Sequence, residues 1–144
     1  KKHKPKIGKA IYLKKVEDYY LLTTGITSQI ALNACKHLKE SYNIDCGIVH
    51  FSTIKPLDKK FLNRIIRNSK KIITVEENVK AGGFGSSILE ASSELSNKIK
   101  KSDIKIMSLK DKFLEKYGTQ QELLDYSGLN CRDLSRSMKN FIRN

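Results

Sequence analysis

The chain has 144 residues, 28 lysines and arginines against 15 aspartates and glutamates, and a net charge of +13. That length fits one domain able to bury a core, and no apolar run approaches the ~18 residues that a membrane-spanning helix needs. Three cysteines far apart, Cys35, Cys46 and Cys131, with no C-x-x-C, argue against a zinc site or disulfide framework and point to a reducing compartment.

Residues 1–6, KKHKPK, read as a linker or tail of a longer polypeptide, ahead of one domain over residues 7–144. GKAIYLKK (8–15) and DYYLLTTG (18–25) read as strands joined by a tight turn near Val16 to Asp18. The second is almost wholly apolar, as a strand covered on both faces should be. Ile26, Ile30, Ala34 and Leu38 then recur every four residues, the stripe of a helix. IDCGIVHFSTI (44–54) is the next strand. KPLD breaks it and sets Asp58 to cap a helix carrying Phe61, Leu62, Ile65 and Ile66. KIITVEE (71–77) is a third buried strand, followed by a glycine turn and a helix through SSILEASSEL. IKIMSL (104–109) is a fourth buried strand, and helices around TQQELLDYSG and CRDLSRSMKNFI close the chain.

Apolar strands alternating with helices over short connections predict an α/β fold of three layers. Its sheet has about five mostly parallel strands, with helices on both faces. The first strand, hairpin-linked to the second, is expected to pair with it antiparallel at an edge.

Lysines recur along the whole chain, so the charge marks no single element and reads as a solvated surface. No finger spacing or aromatic run points to specific nucleic-acid binding. The segment VEENVKAGGFGSSILE (75–90) is the best candidate site. Its three glycines permit close backbone approach, and the helix that follows offers free N–H groups. GGFG matches neither dinucleotide nor P-loop spacing, however, and Glu76 and Glu77 repel an anion. Glu76, Glu77, Asn78, Gly82, Gly83, Gly85 and Ser86 therefore stand as candidates for a subunit or domain contact or for anion capture, beside a purely structural corner. Glu76 and Glu77 are adjacent on a strand and should point to opposite faces. His37 and His50 have no assignable nucleophile and read as packed or solvated. In TTGIT (23–27), Thr24 or Thr27 is expected to cap a helix. The last helix sets Leu134, Met138, Phe141 and Ile142 opposite Arg132, Arg136 and Arg143, and is expected to dock on the sheet rather than on a membrane.

Taken in order, IGKA, DYYLLTTG with ALNA, TIKPLD, TVEENVKAGGFGSSILE and SLKDKFLEKYGTQQELLDYSGLN resemble the C-terminal domain of the transketolase family. Within it they resemble most the branch that makes 1-deoxy-D-xylulose 5-phosphate. Asn78 stands where separate transketolase subunits carry a histidine, and Lys110–Asp111 stands where the synthases usually carry Pro-Asp. The resemblance implies an enzyme that uses thiamine diphosphate and Mg2+ to join a pyruvate-derived two-carbon unit to glyceraldehyde 3-phosphate. It implies cofactor-binding and pyrimidine-binding domains ahead of this segment, a homodimer, and a cytoplasmic or plastid-type location. It assigns no catalytic, cofactor-binding or metal residue to this segment, which alone should bind no cofactor and turn nothing over. A transketolase or 2-oxo-acid dehydrogenase beta-subunit terminus is the alternative. A basic module for a phosphorylated ligand or nucleic acid is the alternative of another class.

Overall fold

The computed structural model describes residues 6–94 and 103–144. The expected linker at residues 1–6, apart from Lys6, lies outside them. Ten elements follow one another: β1 (Ala10–Lys14), β2 (Tyr19–Thr23), α1 (Thr27–Tyr42), β3 (Gly47–Phe51), α2 (Lys59–Asn68), β4 (Lys71–Val79), α3 (Phe84–Ser93), β5 (Asp103–Leu109), α4 (Gln120–Tyr126) and α5 (Cys131–Arg143). The sheet runs β1-β3-β2-β4-β5, with every pairing parallel except β1 with β3.

The alternation of side chains along each strand divides the core in two. Leu21, Ile48, Ile73 and Val75 face α1, α4 and α5, packing on Ala31, Ala34, Leu38, Leu124, Leu134 and Met138. Tyr20, Leu22, Val49 and Ile72 face α2 and α3, packing on Leu62, Ile66, Phe84 and Ile88. This makes the expected three layers, and α5 docks on the domain itself, with Ser135 Oγ 3.3 Å from Ala34 O. Cys35 and Cys46 are free thiols within the first core, serving as small apolar groups; the hydrogen bond with the Cys35 thiol, and then burial, push Cys46 well above its ordinary pKa.

One expectation is corrected. β1 lies at an edge and pairs antiparallel, but its partner is β3, not β2: Ala10 faces Phe51 and Tyr12 faces Val49. The reason lies in β2, whose residues Tyr20 to Thr23 are all buried. Parallel β3 and β4 take both of its edges, so no ladder is left for a hairpin. The half-exposed β1 suits an outer position instead. A bulge between Tyr12 and Lys14 puts Leu13 out of register.

Asp58 does two jobs. It caps α2 by accepting from Phe61 N at 3.1 Å, and it accepts from Ala10 N at 3.2 Å, tying β1 to the helix start. Asp58→Ala is therefore expected to cost more than an ordinary cap, about 2–3 kcal/mol in a urea unfolding titration. A loss below about 0.5 kcal/mol would mean that neither bond matters.

Candidate functional site

In this topology the chain leaves β2 toward β3 by a helix on one face, and leaves β4 toward β5 by a helix on the other. Between the carboxyl ends of β2 and β4 the connections therefore diverge, the place where open α/β sheets form their ligand crevice. A crevice of about 300 Å3 lies there, lined by Thr24, Gly25, Glu76, Asn78, Gly82 and Gly83 among others. Beyond Val75, β4 slips out of register with β5 until Val79. Glu76, Glu77 and Asn78 thus sit in the kink that turns the strand toward α3.

Glu76 is buried, 1% exposed, on the α3 side of the sheet. Its carboxylate accepts from Phe84 N at 2.6 Å and Gly85 N at 2.9 Å, the first two amides of α3. A helix start has unpaired N–H groups and a partial positive charge. Here the chain's own carboxylate fills the position that an external anion would occupy. Gly83 and Gly85 make room for it. A Cβ on Gly83 would lie 2.5 Å from Val79 O and closer still to Glu76 Oε2, and one on Gly85 would lie 2.7 Å from Thr74 Oγ1. Gly82, at φ +69°, supplies the left-handed residue of the turn. Ser86 Oγ donates to Lys80 O.

Glu77 points to the opposite side, exposed, and accepts from Gln120 Nε2 at 2.8 and 3.0 Å. Asn78 is also exposed, with its Oδ1 accepting from Val79 N. The candidate set thus divides into an inward group, Glu76, Gly83 and Gly85, and an outward group, Glu77, Asn78 and Gly82, with half-buried Ser86 between them.

Burial pushes the Glu76 carboxyl above its ordinary value, and the two amides pull it back only in part. A carboxyl whose folded pKa lies above the unfolded one binds its proton more tightly in the fold. Its contribution to stability is full below the unfolded value and is lost as pH rises through the folded value. The stability margin of the wild type over Glu76→Gln should therefore be full below the ordinary carboxylate value and shrink as pH rises from there through the raised one. Thermal unfolding across that range checks it. A margin that widens with pH would show the amides winning over burial.

Thr24 and Thr27 do not cap α1 as expected. Ile26 stands at the cap with no side-chain bond, and Thr27 Oγ1 turns inward to Thr24 O and Val75 O. His50 belongs to a chain that the sequence did not reveal: its Nδ1 lies 2.8 Å from Ser28 Oγ, which lies 2.7 Å from Thr23 Oγ1, itself 3.2 Å from Val49 O. With each proton used once, Thr23 donates to Val49 O, Ser28 to Thr23, and His50 Nδ1–H to Ser28. Burial lowers the His50 pKa and favours this neutral form. Ser28 links Thr23 to the His50 ring in that chain. The signal that could have found it is the parallel pairing of Thr23 with His50. His37 stands edge-on to Tyr42 at 5.8 Å. Among the described residues no cluster of three or more His, Cys, Asp or Glu is gathered to hold a metal, and no helix is long and apolar enough to cross a membrane.

The family model "Transketolase, C-terminal domain" matches residues 8–134. The 1-deoxy-D-xylulose-5-phosphate synthase of Clostridium perfringens strain 13 is 34% identical over 131 residues, which are 91% of this chain and 20% of that protein. The synthase of Syntrophus aciditrophicus is 38% identical over 140 residues, 95% of this chain and 21% of that protein. This chain thus spans about a fifth of the length of these relatives. A solved split-gene transketolase, described as an inactive beta4 tetramer, superposes with a TM-score of 0.82 at 30% identity, over 96% of this chain and 43% of its own. The transketolase of Pichia stipitis, at 16% identity and a TM-score of 0.62 over 92% of this chain and 18% of its own, shares the fold. The chain belongs to the transketolase C-terminal domain family.

Proposed function

We propose that this chain is the C-terminal lobe of a 1-deoxy-D-xylulose-5-phosphate synthase-like enzyme, in which it supports assembly and carries no chemistry itself. Kinship with the synthases along nine-tenths of the chain is the observation that carries this reading. The reaction it implies joins a two-carbon unit from pyruvate, with loss of CO2, to glyceraldehyde 3-phosphate on thiamine diphosphate.

The start of α3 does not fit the diphosphate of that cofactor. The amides that would receive a diphosphate at α3 are held by Glu76, so no step of the reaction is routed through them. The cofactor-binding and pyrimidine-binding domains of the longer protein would hold thiamine diphosphate and Mg2+. The outward residues Glu77, Asn78 and Gly82 would face those neighbours in a homodimer.

The test compares the full-length protein with the 144-residue chain, each given pyruvate, glyceraldehyde 3-phosphate, thiamine diphosphate and Mg2+. Deoxyxylulose phosphate should form with the first and not with the second. A full-length protein that instead transfers two-carbon units between sugar phosphates, and ignores pyruvate, would favour a second reading. That reading is a transketolase half-subunit, and the 0.82 superposition on the split-gene transketolase supports it.

A further inference from the structure

The connection from α1 to β3 brings two of the three cysteines together. α1 stops at Asn43, which takes a left-handed φ of 52° and gives its N–H to Lys39 O at 3.1 Å. The next amide, Ile44 N, bonds back to Leu38 O at 3.1 Å, so the chain folds over the last turns of the helix. Cys46, two residues further on, is thereby carried to Cys35, which lies one turn before Leu38 on the buried face of α1. Both thiols are free and buried, and the Cys46 S–H donates to the Cys35 sulfur. The rest of their core is apolar, with Ala31, Ala34, Leu38 and Ile48. The cover is thin on one side. Asn43 and Asp45, in the irregular link before β3, are exposed, and the Asp45 carboxylate holds the ammonium of Lys14.

We propose that Cys35 and Cys46 are a site of reversible oxidation, at which a hydroperoxide closes a disulfide between α1 and the start of β3 and a dithiol reopens it. This holds whatever reaction the parent protein performs. The two sulfurs have different tasks. The Cys46 S–H first, and the Lys14 charge after it, hold the Cys35 thiol below its ordinary pKa, while Cys46 is pushed up. The proton therefore leaves Cys35, and Cys46 keeps its own. The Cys35 thiolate attacks one peroxide oxygen and the O–O bond breaks. The departing hydroxide takes up the proton that Cys35 gave away and becomes water. The Cys46 sulfur then attacks the Cys35 sulfenic acid. The S–S bond forms, the S–O bond breaks, and the hydroxide leaves with the Cys46 proton as a second water. The thiol pair loses two electrons and hydrogen peroxide gains them. Burial makes most cysteines inert. Here the second sulfur is already in contact, so a single water-sized oxidant passing the link at Asn43 to Asp45 is enough.

The experiment treats the folded 144-residue chain with hydrogen peroxide, blocks the remaining thiols and maps the peptides by mass spectrometry. The expected product has lost two hydrogen atoms and joins the peptide of Cys35 to that of Cys46. The thiols titrated in urea should fall from three to one, the survivor being Cys131, and dithiothreitol should restore all three. Cys131 is the internal control, because it is the most exposed of the three cysteines and oxidation governed by access alone would strike it first. Oxidation of Cys131 ahead of the pair, disulfides only between chains, or three intact thiols at peroxide levels that oxidise free cysteine would overturn the proposal. The order of attack is read with dimedone, which captures sulfenic acids. Cys46→Ala should trap the label on Cys35 at least roughly fivefold more than Cys35→Ala traps it on Cys46. Equal labelling in folded variants, checked by circular dichroism, would overturn the assigned roles. Where a variant fails to fold, the product of the unmodified chain decides alone.

Discussion

Glu76→Ala should cost the domain about 3–5 kcal/mol of unfolding free energy, a large share of the ~5–15 kcal/mol that such a domain possesses. The substitution strips the acceptors from Phe84 N and Gly85 N, two buried donors at the start of α3, and leaves a hole beneath them. Each donor left without a partner costs about 1–3 kcal/mol, and the lost side-chain volume adds to that. Glu76→Gln keeps the shape and one acceptor oxygen, and should lose only about 1–2 kcal/mol near neutral pH. Glu77→Ala, one residue along but facing solvent, should fall within about 0.5 kcal/mol of the unmodified chain. Urea titration of the three variants measures this order. Equal losses at Glu76 and Glu77 would contradict the inward assignment of Glu76.

The second large effect belongs to Gly83. Its Cβ would meet the Val79 carbonyl at 2.5 Å, a backbone atom that cannot swing aside, together with the carboxylate of Glu76. Gly83→Ala should therefore cost about 3 kcal/mol, the upper range for overpacking a closed site. Gly82→Ala has open space around its Cβ and only the left-handed φ of 69° against it, so about 1–2 kcal/mol is expected. Chemical denaturation separates the two. If Gly82→Ala proved the more damaging, backbone conformation and not close packing would govern the turn. The clash at Gly83 is within the chain. A Gly83→Val change that weakened assembly would thus report a damaged turn before any damaged contact, and the exposed Asn78 and Glu77 are cleaner probes of a neighbouring domain.

Much of the fold was legible because burial on both faces of a sheet leaves a strong mark. The run YYLLT could only be a central strand, and Leu21 and Leu22 do point into opposite cores. The stripe Ile30, Ala34, Leu38 and the cap at Asp58 are local patterns, and local patterns survive into the structure. The partner of β1 was not legible. A short link suggests a hairpin, but pairing depends on which strand has a free edge, and that is settled by β3 and β4 far along the chain.

The candidate site was legible as a place and not as a mechanism. The strand-to-helix turn with its glycines stood out, and the opposite facing of Glu76 and Glu77 followed from strand alternation. The way Glu76 excludes an anion did not. Two carboxylates before a helix start read as repelling an anion, and one of them does so by folding back onto the amides itself. That step depends on the missing Cβ atoms of Gly83 and Gly85, a three-dimensional fit that no spacing rule encodes. The Thr23–Ser28–His50 chain was hidden for a similar reason, since it joins two strands and a helix through register.

The amide signals of Phe84 and Gly85, followed by nuclear magnetic resonance in the 144-residue chain, test the account most directly. They should stay in place as phosphate or thiamine diphosphate with Mg2+ is added, and should move together as pH carries Glu76 through a midpoint above the ordinary carboxylate range. Saturable shifts of both signals with either anion, at fixed pH, would show that the helix start is open to ligands and that Glu76 does not own it.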